Sequence, residues 1–177
     1  MLLRDETIAL VPFEPAHSQL YLQWVNTEEL ARLLGRCLPV TAAEHEGWYR
    51  AQVGSNSTVI FAVETLDERK YLGNVWLHNI HWVNRSAELR ILLGAPEAQG
   101  RGYGSRACRL LLRFAFEKLG LHKVYLYVGS FNPRGVRAFE KAGFSEEALL
   151  KDEFFVDGRF MDVKRMAAFS SQAATRS

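Results

Sequence analysis

The chain has 177 residues, of which 48% are hydrophobic and 24% charged, and this is the composition of a globular protein large enough for one domain with its own core. Its net charge of +2 comes from Lys and Arg residues spread along the chain, which argues against a nucleic-acid-binding surface. No apolar run approaches the roughly 20 residues of a membrane span, and charged residues interrupt the first ten positions, so we expect a cytoplasmic protein that binds neither membranes nor nucleic acids.

Helices dominate the first third of the chain after one short strand. Residues 7–13 predict a strand that stops at a proline, and Pro15 then opens a helix with apolar residues one turn apart. A second helix is predicted over residues 27–34. A capping box of Thr41 with Glu44 begins a third helix, which runs to about position 53.

The middle of the chain changes to strands. Residues 58–64, 71–83 and 87–93 are rich in β-branched and aromatic residues and are separated by short polar turns. Connections this short join neighbouring strands, so they predict an antiparallel meander.

The second half alternates helices with strands. An amphipathic helix ending at Gly120 is followed by a strand over residues 123–128, and a further helix has Asn132 as its N-cap and Gly143 as its C-terminal cap. Two strands form a hairpin around Asp157 and Gly158, and the tail from Ser170 is expected to be disordered. The prediction is one α/β domain over residues 1–169, a mixed, mostly antiparallel sheet with helices on both faces.

The stretch QGRGYGSR, residues 99–106, predicts an anion site. Three glycines precede the start of a helix whose first backbone N–H groups lack intrahelical partners, and Arg101 and Arg106 can add positive charge. A P-loop is a poor match, because no Lys follows Gly104. A dinucleotide-binding turn is also a poor match, because the glycine spacing differs and no acid follows the next strand.

The glycine loop resembles the pyrophosphate loop of the GNAT N-acyltransferase superfamily. Gln99, Gly102 and Gly104 fill the pattern Gln/Arg-x-x-Gly-x-Gly/Ala, and a second block, Asn132 with Phe139 and the Gly-Phe pair at 143–144, lies at the expected distance downstream. The order of elements is similar over nearly the whole chain. The resemblance is nearest to the RimJ/RimL-type branch, and in the C-terminal half to bacterial spermidine N-acetyltransferases.

This resemblance implies a GNAT fold, acetyl-CoA as co-substrate and a set of residues that bind it. The fourth and fifth predicted strands, residues 87–93 and 123–128, splay into a V that admits the pantetheine arm. The implied cofactor-binding residues are Ile91, Leu92, Leu93, Gln99, Gly100, Arg101, Gly102, Tyr103, Gly104, Ser105, Asn132, Arg137 and Phe139. No metal site is expected.

The same resemblance assigns the chemistry. The acceptor amine attacks acetyl-CoA directly, and Glu88 is the candidate base, acting directly or through water; an ion pair with Arg90 or Arg85 is the alternative role for Glu88. His78 and His81 lie three residues apart in a predicted strand, so they are expected to face opposite sides, with one towards the acceptor.

Phe139 stands where many relatives carry a Tyr that protonates the departing thiolate. Other donors are then needed, and Tyr103, Tyr127 and Ser130 are candidates; the alternative is core packing by Phe139 and a protein that senses acetyl-CoA with little catalysis.

Three acceptors remain open: a polyamine, a protein N-terminus or another small amine. A polyamine needs acids, for which the sequence offers Glu28, Glu29, Glu44, Glu46 and Glu88. A homodimer is compatible with the resemblance. Cys108 is expected to pack as a small hydrophobe, and neither it nor Cys37 forms a recognisable motif.

Overall fold

A computed structural model describes residues 3–36 and 38–173 of the chain. Within these residues the strands are β1 (Leu3–Arg4), β2 (Ile8–Pro12), β3 (Val59–Thr65), β4 (Tyr71–His81), β5 (Ser86–Leu93), β6 (Lys123–Gly129), β7 (Ser145–Val156) and β8 (Arg159–Phe169). The helices are α1 (Pro15–Val25), α2 (Glu28–Leu33), α3 (Ala42–Val53), α4 (Tyr103–Glu117), α5 (Pro133–Ala142) and α6 (Ser170–Ala173).

The strands form one mixed sheet in the order β1-β2-β3-β4-β5-β6-β8-β7. Neighbours are antiparallel except β5 and β6, which run parallel. The β5–β6 pairing covers three residue pairs and ends at Glu88 with Tyr125, although β5 continues to Leu93 and β6 to Gly129. We call this unpaired opening the β5–β6 notch. The predicted fold and its V are thus confirmed.

Helices cover both faces of the sheet, and the main core lies under α4. Ala107, Leu111 and Ala115 of α4 are fully buried in this core, while Arg109 and Arg113 of the same helix are exposed, as expected for an amphipathic helix. The opposite face carries a smaller cluster, formed by Tyr21, Val25, Trp76 and Leu92. The sheet therefore separates a closed α4 face from the face under α1 and α3.

A β-bulge near the end of β4 changes the predicted direction of one histidine. His78 pairs with Glu88, but His81 pairs with Ser86, so one extra residue lies between them, and Asn79 adopts a positive φ of 50°. Paired residues on neighbouring strands share a face, so His78 and His81 lie on the same face rather than on opposite faces. Strict alternation from the sequence could not anticipate the inserted residue.

Several boundaries also differ from the sequence prediction. The short strand β1 was not predicted, β4 ends at His81 rather than at position 83, and α4 ends at Glu117 rather than at Gly120. The expected disorder from Ser170 is wrong for residues 170–173, which form α6, and the Ser170 N–H donates to the His122 carbonyl at 3.0 Å. Residues 174–177 lie outside the described residues.

Candidate active site

The glycine loop lies between the end of β5 and helix α4 and forms the start of that helix. Gly100 and Gly102 have φ values of 75° and 77°, a left-handed conformation that side chains strain, and Gly102 is the N-cap of α4. Because this N-cap has no side chain, it cannot satisfy the free N–H groups of the first helical turn. Ser105 Oγ instead donates to the Gly102 carbonyl at 2.9 Å, which fixes the turn and leaves those N–H groups for a ligand.

The charged side chains around the glycine loop differ in their partners. Arg106, which the sequence offered as a phosphate ligand, instead pairs with Asp5 and Glu6 at the start of the chain. Arg101 is exposed. Arg134 Nη1 lies 3.4 Å from Gln99 Oε1, which connects the beginning of α5 to the loop. The loop thus keeps Arg101 and its own backbone dipoles as the positive groups that an anion meets.

The β5–β6 notch begins next to this loop. Ile91, Leu92 and Leu93 lie on β5 beyond the last pair with β6, so their backbone groups on the β6 side have no strand partner. On the other side of β5, the absence of a side chain at Gly73 allows β4 to approach closely, since a Cβ at Gly73 would lie 2.1 Å from the Leu92 carbonyl oxygen. Gly104 of the glycine loop lies close to the end of β5, because a Cβ at Gly104 would be 3.8 Å from Leu93 Cδ1. The unpaired backbone and the anion loop therefore form one continuous surface.

Helix α5 supplies the second block. Asn132 Oδ1 accepts a hydrogen bond from the Gly135 N–H at 2.9 Å, which makes it a true N-cap and leaves its amide nitrogen for another partner. Arg137 is exposed. Phe139 is half-buried against the main core and meets Phe144 edge-on, with ring centroids 6.2 Å apart. The core-packing interpretation of Phe139 is thus confirmed, and this ring offers no proton.

Glu88 lies at the vertex of the notch, opposite Tyr125 of β6 and His78 of β4. Its carboxylate is paired with Arg90, whose Nε donates to Oε1 at 2.7 Å and whose Nη2 donates to Oε2 at 3.3 Å. The ion pair that the sequence offered as an alternative is therefore present, with Arg90 and not with Arg85. Arg85 Nε donates instead to the Gly120 carbonyl at 2.7 Å.

Two further titratable groups surround this pair. Burial, then the positive charge of Arg90, lowers the pKa of His78 below its usual value, so this imidazole is neutral at pH 7 and can accept a proton. Burial, then the charge of Glu88, raises the pKa of the Tyr125 phenol. The geometry thus provides a carboxylate and a neutral imidazole on one face, next to a phenol that keeps its proton.

Sequence reasoning missed Arg165 in this group. Its guanidinium lies over the Tyr125 ring, with its carbon 4.3 Å from the ring centroid, and 5.8 Å from the Tyr127 centroid. Arg165 belongs to β8 and pairs with Tyr127 of β6. The only signal for it would have been the register between β6 and β8, which the sequence does not specify.

The acids proposed for a polyamine do not gather in one pocket. Glu44 accepts hydrogen bonds from Thr41 in the α3 capping box, and Glu46 Oε1 accepts from Arg50 Nε at 2.8 Å. Glu28 and Glu29 line an open cavity of about 520 Å³ together with Arg32 and Leu33. Glu88 is already bound by Arg90, so the five acids are spread over three elements with mostly local partners.

Cys108 is buried, as expected, and burial raises the pKa of its thiol to about 12. Cys37 lies outside the described residues.

Two of the candidate proton donors lie in different surroundings. Tyr127 is exposed near the notch, and Tyr103 packs against the main core. Among the described residues, no three acidic, His or Cys side chains gather as a metal site, and no helix has the length and apolar character to cross a membrane.

Comparisons with known proteins agree with this geometry. The model of the Acetyltransferase (GNAT) domain family matches residues 7–145. Spermidine N(1)-acetyltransferase of Vibrio cholerae is 40% identical over 134 residues, 76% of each chain. The crystal structure of the Vibrio cholerae spermidine N-acetyltransferase with CoA and spermine superposes with a TM-score of 0.88 at 32% identity, covering 96% of this chain and 99% of that one. Its dodecameric structure gives a TM-score of 0.82 at 32% identity, with 98% and 99% covered.

The chain therefore belongs to the GNAT acetyltransferase family. It is an acetyl-CoA-dependent N-acetyltransferase, with acetyl-CoA as its co-substrate. The residues present fit this molecule, because the N-cap of α4 has no side chain of its own to satisfy the first N–H groups and the backbone of β5 is unpaired along the notch.

Proposed function

We propose that the chain transfers the acetyl group directly to a primary amine while both substrates are bound. The position of Glu88 carries this proposal: a buried carboxylate lies at the vertex of the notch, next to the unpaired backbone of residues 91–93. The loop from Gln99 to Ser105 holds the pyrophosphate, with Arg101 adding charge, and Asn132 and Arg137 contact the arm from α5.

The proposed reaction uses protein groups for binding and proton transfer. Glu88 takes a proton from the acceptor ammonium, directly or through water, and neutral His78 across the strand pair is the second candidate base. The amine nitrogen then bonds to the acetyl carbon, and the carbon–sulfur bond breaks. Backbone N–H groups near Leu92 and Leu93 stabilise the charge on the acetyl oxygen. A thiol has an ordinary pKa of about 8.5, so the thiolate can leave with water or Tyr127 as proton source.

The acceptor is a primary amine, and three kinds remain candidates: a polyamine, a protein N-terminus and another small amine. Spermidine is first on this list because similar proteins are named for it. The RimJ/RimL-type assignment remains a prediction. Because a relative forms a dodecamer, we also propose that this chain self-associates, with β1 and β7 as the exposed sheet edges.

An acceptor panel tests the proposal. The full chain is incubated with acetyl-CoA and spermidine, Ser- or Ala-starting peptides, amino acids or amino sugars, and CoA thiol release and product mass are measured. Initial-rate patterns with both substrates varied should intersect, as a ternary complex requires. Parallel patterns would indicate an acetylated enzyme instead. Thermal stabilisation by CoA without transfer to any amine would refute the proposal in favour of an acetyl-CoA sensor.

A further inference from the structure

The Glu88 carboxylate can be approached from one face of the sheet only. Its neighbours on β5, Ala87 and Leu89, alternate to the opposite face and are both buried in the main core under α4. Glu88 shares the other face with Leu92, which packs in the smaller cluster under α1 and α3. An acceptor amine must therefore reach the carboxylate from the face under α1 and α3.

The guanidinium of Arg90 occupies this approach. It donates to both carboxylate oxygens of Glu88, from Nε at 2.7 Å and from Nη2 at 3.3 Å. Its positive charge also acts on groups of three other elements, His78 of β4, Tyr125 of β6 and Tyr21 of α1. The guanidinium thus lies among the groups between which an acceptor must pass.

Glu88 has one cationic neighbour. In the part of the chain that the structure describes, Arg90 is the only cation within ion-pair distance of Glu88, and Glu88 is the only carboxylate within that distance of Arg90. His78 adds no second cation, because burial and then the charge of Arg90 lower its pKa and leave the imidazole neutral at pH 7. A largely buried carboxylate is costly without a cation beside it, so one cation is needed next to Glu88 at every stage before proton transfer.

The two partners of this ion pair differ in their freedom to move. The Glu88 side chain is 10% exposed, whereas the Arg90 side chain is 47% exposed and can turn into solvent at little cost, because a half-exposed ion pair stabilises a protein only weakly. A primary ammonium carries the same charge as the guanidinium and has three N–H donors for the carboxylate. An ammonium can therefore replace Arg90 at Glu88 without changing the charge of the site.

We propose that Arg90 occupies the position of the acceptor ammonium in the free enzyme, and that the acceptor binds by displacing the Arg90 guanidinium from Glu88. Arg90 is then a specificity-determining residue, because a neutral molecule that displaced it would leave the Glu88 carboxylate without a cation. The site selects amines that arrive protonated, and the primary amines of a polyamine, like that of Lys, are protonated at pH 7. This proposal rests on the proposed acetyl transfer and specifies the charge of its acceptor.

Calorimetric titration of spermidine into the CoA-bound full chain measures acceptor binding without acetyl transfer. In Arg90→Gln no guanidinium has to be displaced, so we expect the Kd for spermidine to fall about three- to tenfold. Arg90→Lys keeps a cation with fewer hydrogen bonds to Glu88 and should give a smaller decrease. The matched control is Arg50→Gln, because Arg50 also pairs with a glutamate, Glu46 at 2.8 Å, but on the exposed side of α3; it should leave the Kd unchanged. The affinity for CoA in every variant reports correct folding.

The imidazole of His78 reports the exchange directly. Glu88 and Arg90 face it from β5, and Thr58 Oγ1 of β3 lies 3.4 Å from its Nδ1. NMR of isotope-labelled histidines, with the His78 signal identified by its loss in His78→Gln, measures its pKa. This pKa should rise in Arg90→Gln and fall again when spermidine is added, because the ammonium supplies the missing positive charge. In the unmodified chain spermidine should change it little, since one cation replaces another.

Three results would overturn the proposal: unchanged or weaker spermidine binding in Arg90→Gln, no fall of the His78 pKa when spermidine is added to that variant, or no spermidine binding in any form of the chain. The same measurements separate the exchange from the reaction. Tighter spermidine binding in Arg90→Gln without acetyl transfer to any amine would refute the proposed reaction and support the exchange. Acetyl transfer with equal spermidine affinity in Arg90→Gln and the unmodified chain would support the reaction and refute the exchange.

Discussion

Arg90 Nε donates a 2.7 Å hydrogen bond to Glu88 Oε1, and the two residues lie on the same face of β5. The Glu88 side chain is 10% exposed and the Arg90 side chain 47% exposed, so the arginine is the partner that can swing away. This pair holds the carboxylate at the vertex of the notch. An incoming ammonium can reach the Glu88 carboxylate only when Arg90 releases at least one of its two hydrogen bonds to it.

Glu88→Gln should separate proton transfer from binding. The substitution keeps the shape of the side chain but removes the carboxylate, so we expect kcat to fall about 10²–10⁴-fold, the usual contribution of a general base. The KM for acetyl-CoA should stay unchanged in steady-state assays. Glu117→Gln, at the exposed end of α4, is the control. A larger loss in His78→Gln than in Glu88→Gln would make the imidazole the base.

Phe139→Tyr should restore a proton donor near the leaving thiolate. Phe139 is half-buried and meets Phe144 edge-on, so a hydroxyl at the ring tip extends its edge without opening the core. We expect kcat to rise about tenfold or more at pH values below the ordinary phenol pKa of about 10, where the tyrosine still carries the proton that it donates. Phe116→Tyr, at another half-buried position of the main core, should have no such effect. Unchanged kcat in Phe139→Tyr would show that protonation of the thiolate does not limit the rate.

Alanine substitutions in the glycine loop should separate backbone strain from phosphate contact. Gly102 has a φ of 77°, so Gly102→Ala should lower the free energy of unfolding by about 1–2 kcal/mol and also weaken CoA binding. Gly104 lies in the helix with room for a Cβ 3.8 Å from Leu93, so Gly104→Ala should keep stability and weaken CoA binding alone.

The control for strain is Gly158→Ala, in the β7–β8 hairpin, where φ is also 77°. It should cost similar stability and leave CoA binding intact. Urea unfolding and calorimetric CoA titration measure the two effects. Wild-type CoA affinity in Gly104→Ala would count against the loop as the pyrophosphate site.

Two substitutions at Asn132 should distinguish its cap from its cofactor contact. Asn132→Asp keeps an oxygen that accepts from the Gly135 N–H, so stability should be retained while the lost amide donor weakens acetyl-CoA binding. Asn132→Ala removes both and should cost about 1 kcal/mol of unfolding free energy in addition. Equal acetyl-CoA affinity in Asn132→Asp and the unmodified chain would reduce Asn132 to a helix cap.

Stability should depend on pH through Asp5. Burial raises the pKa of Asp5, but hydrogen bonds from the Ile8 and Thr7 N–H groups and from Arg106 outweigh it, and the net result is a lowered pKa. A lowered folded-state pKa stabilises the fold above the unfolded value of about 3.9, and this is lost as the pH falls through the folded value. Asp5→Asn should therefore destabilise the protein at neutral pH and make little difference in strong acid.

Urea unfolding at several pH values checks this dependence. The control is Asp152→Asn, because Asp152 is exposed and its backbone has a φ of 52°, which Asn also tolerates. An equal loss of stability at every pH in Asp5→Asn would assign its effect to packing rather than to charge.

Features that depend on neighbouring residues were accessible from the sequence. The capping box of Thr41 with Glu44, the Asn132 cap and the glycine turn at the start of α4 are all present, because each is decided within one helical turn or one loop. The antiparallel pairing of β3, β4 and β5 followed from their short connections, and the splayed pair β5–β6 from the resemblance to a known family. Irregularities within a strand could not be predicted from the sequence. The bulge after His78 places His81 on the opposite side of the sheet from the one expected.

The sequence by itself determined that a glycine turn leads into helix α4, and so predicted an anion site there, since glycine spacing and a helix start act locally. Only the tertiary structure decided which charges surround the β5–β6 notch. Arg165 meets Tyr125 and Tyr127 because β8 pairs with β6, and Arg90 rather than Arg85 binds Glu88 because alternation on β5 and the turn before it direct the two arginines differently. Side chains far apart in the chain acquire a common site only through strand register, and register is a property of the assembled sheet.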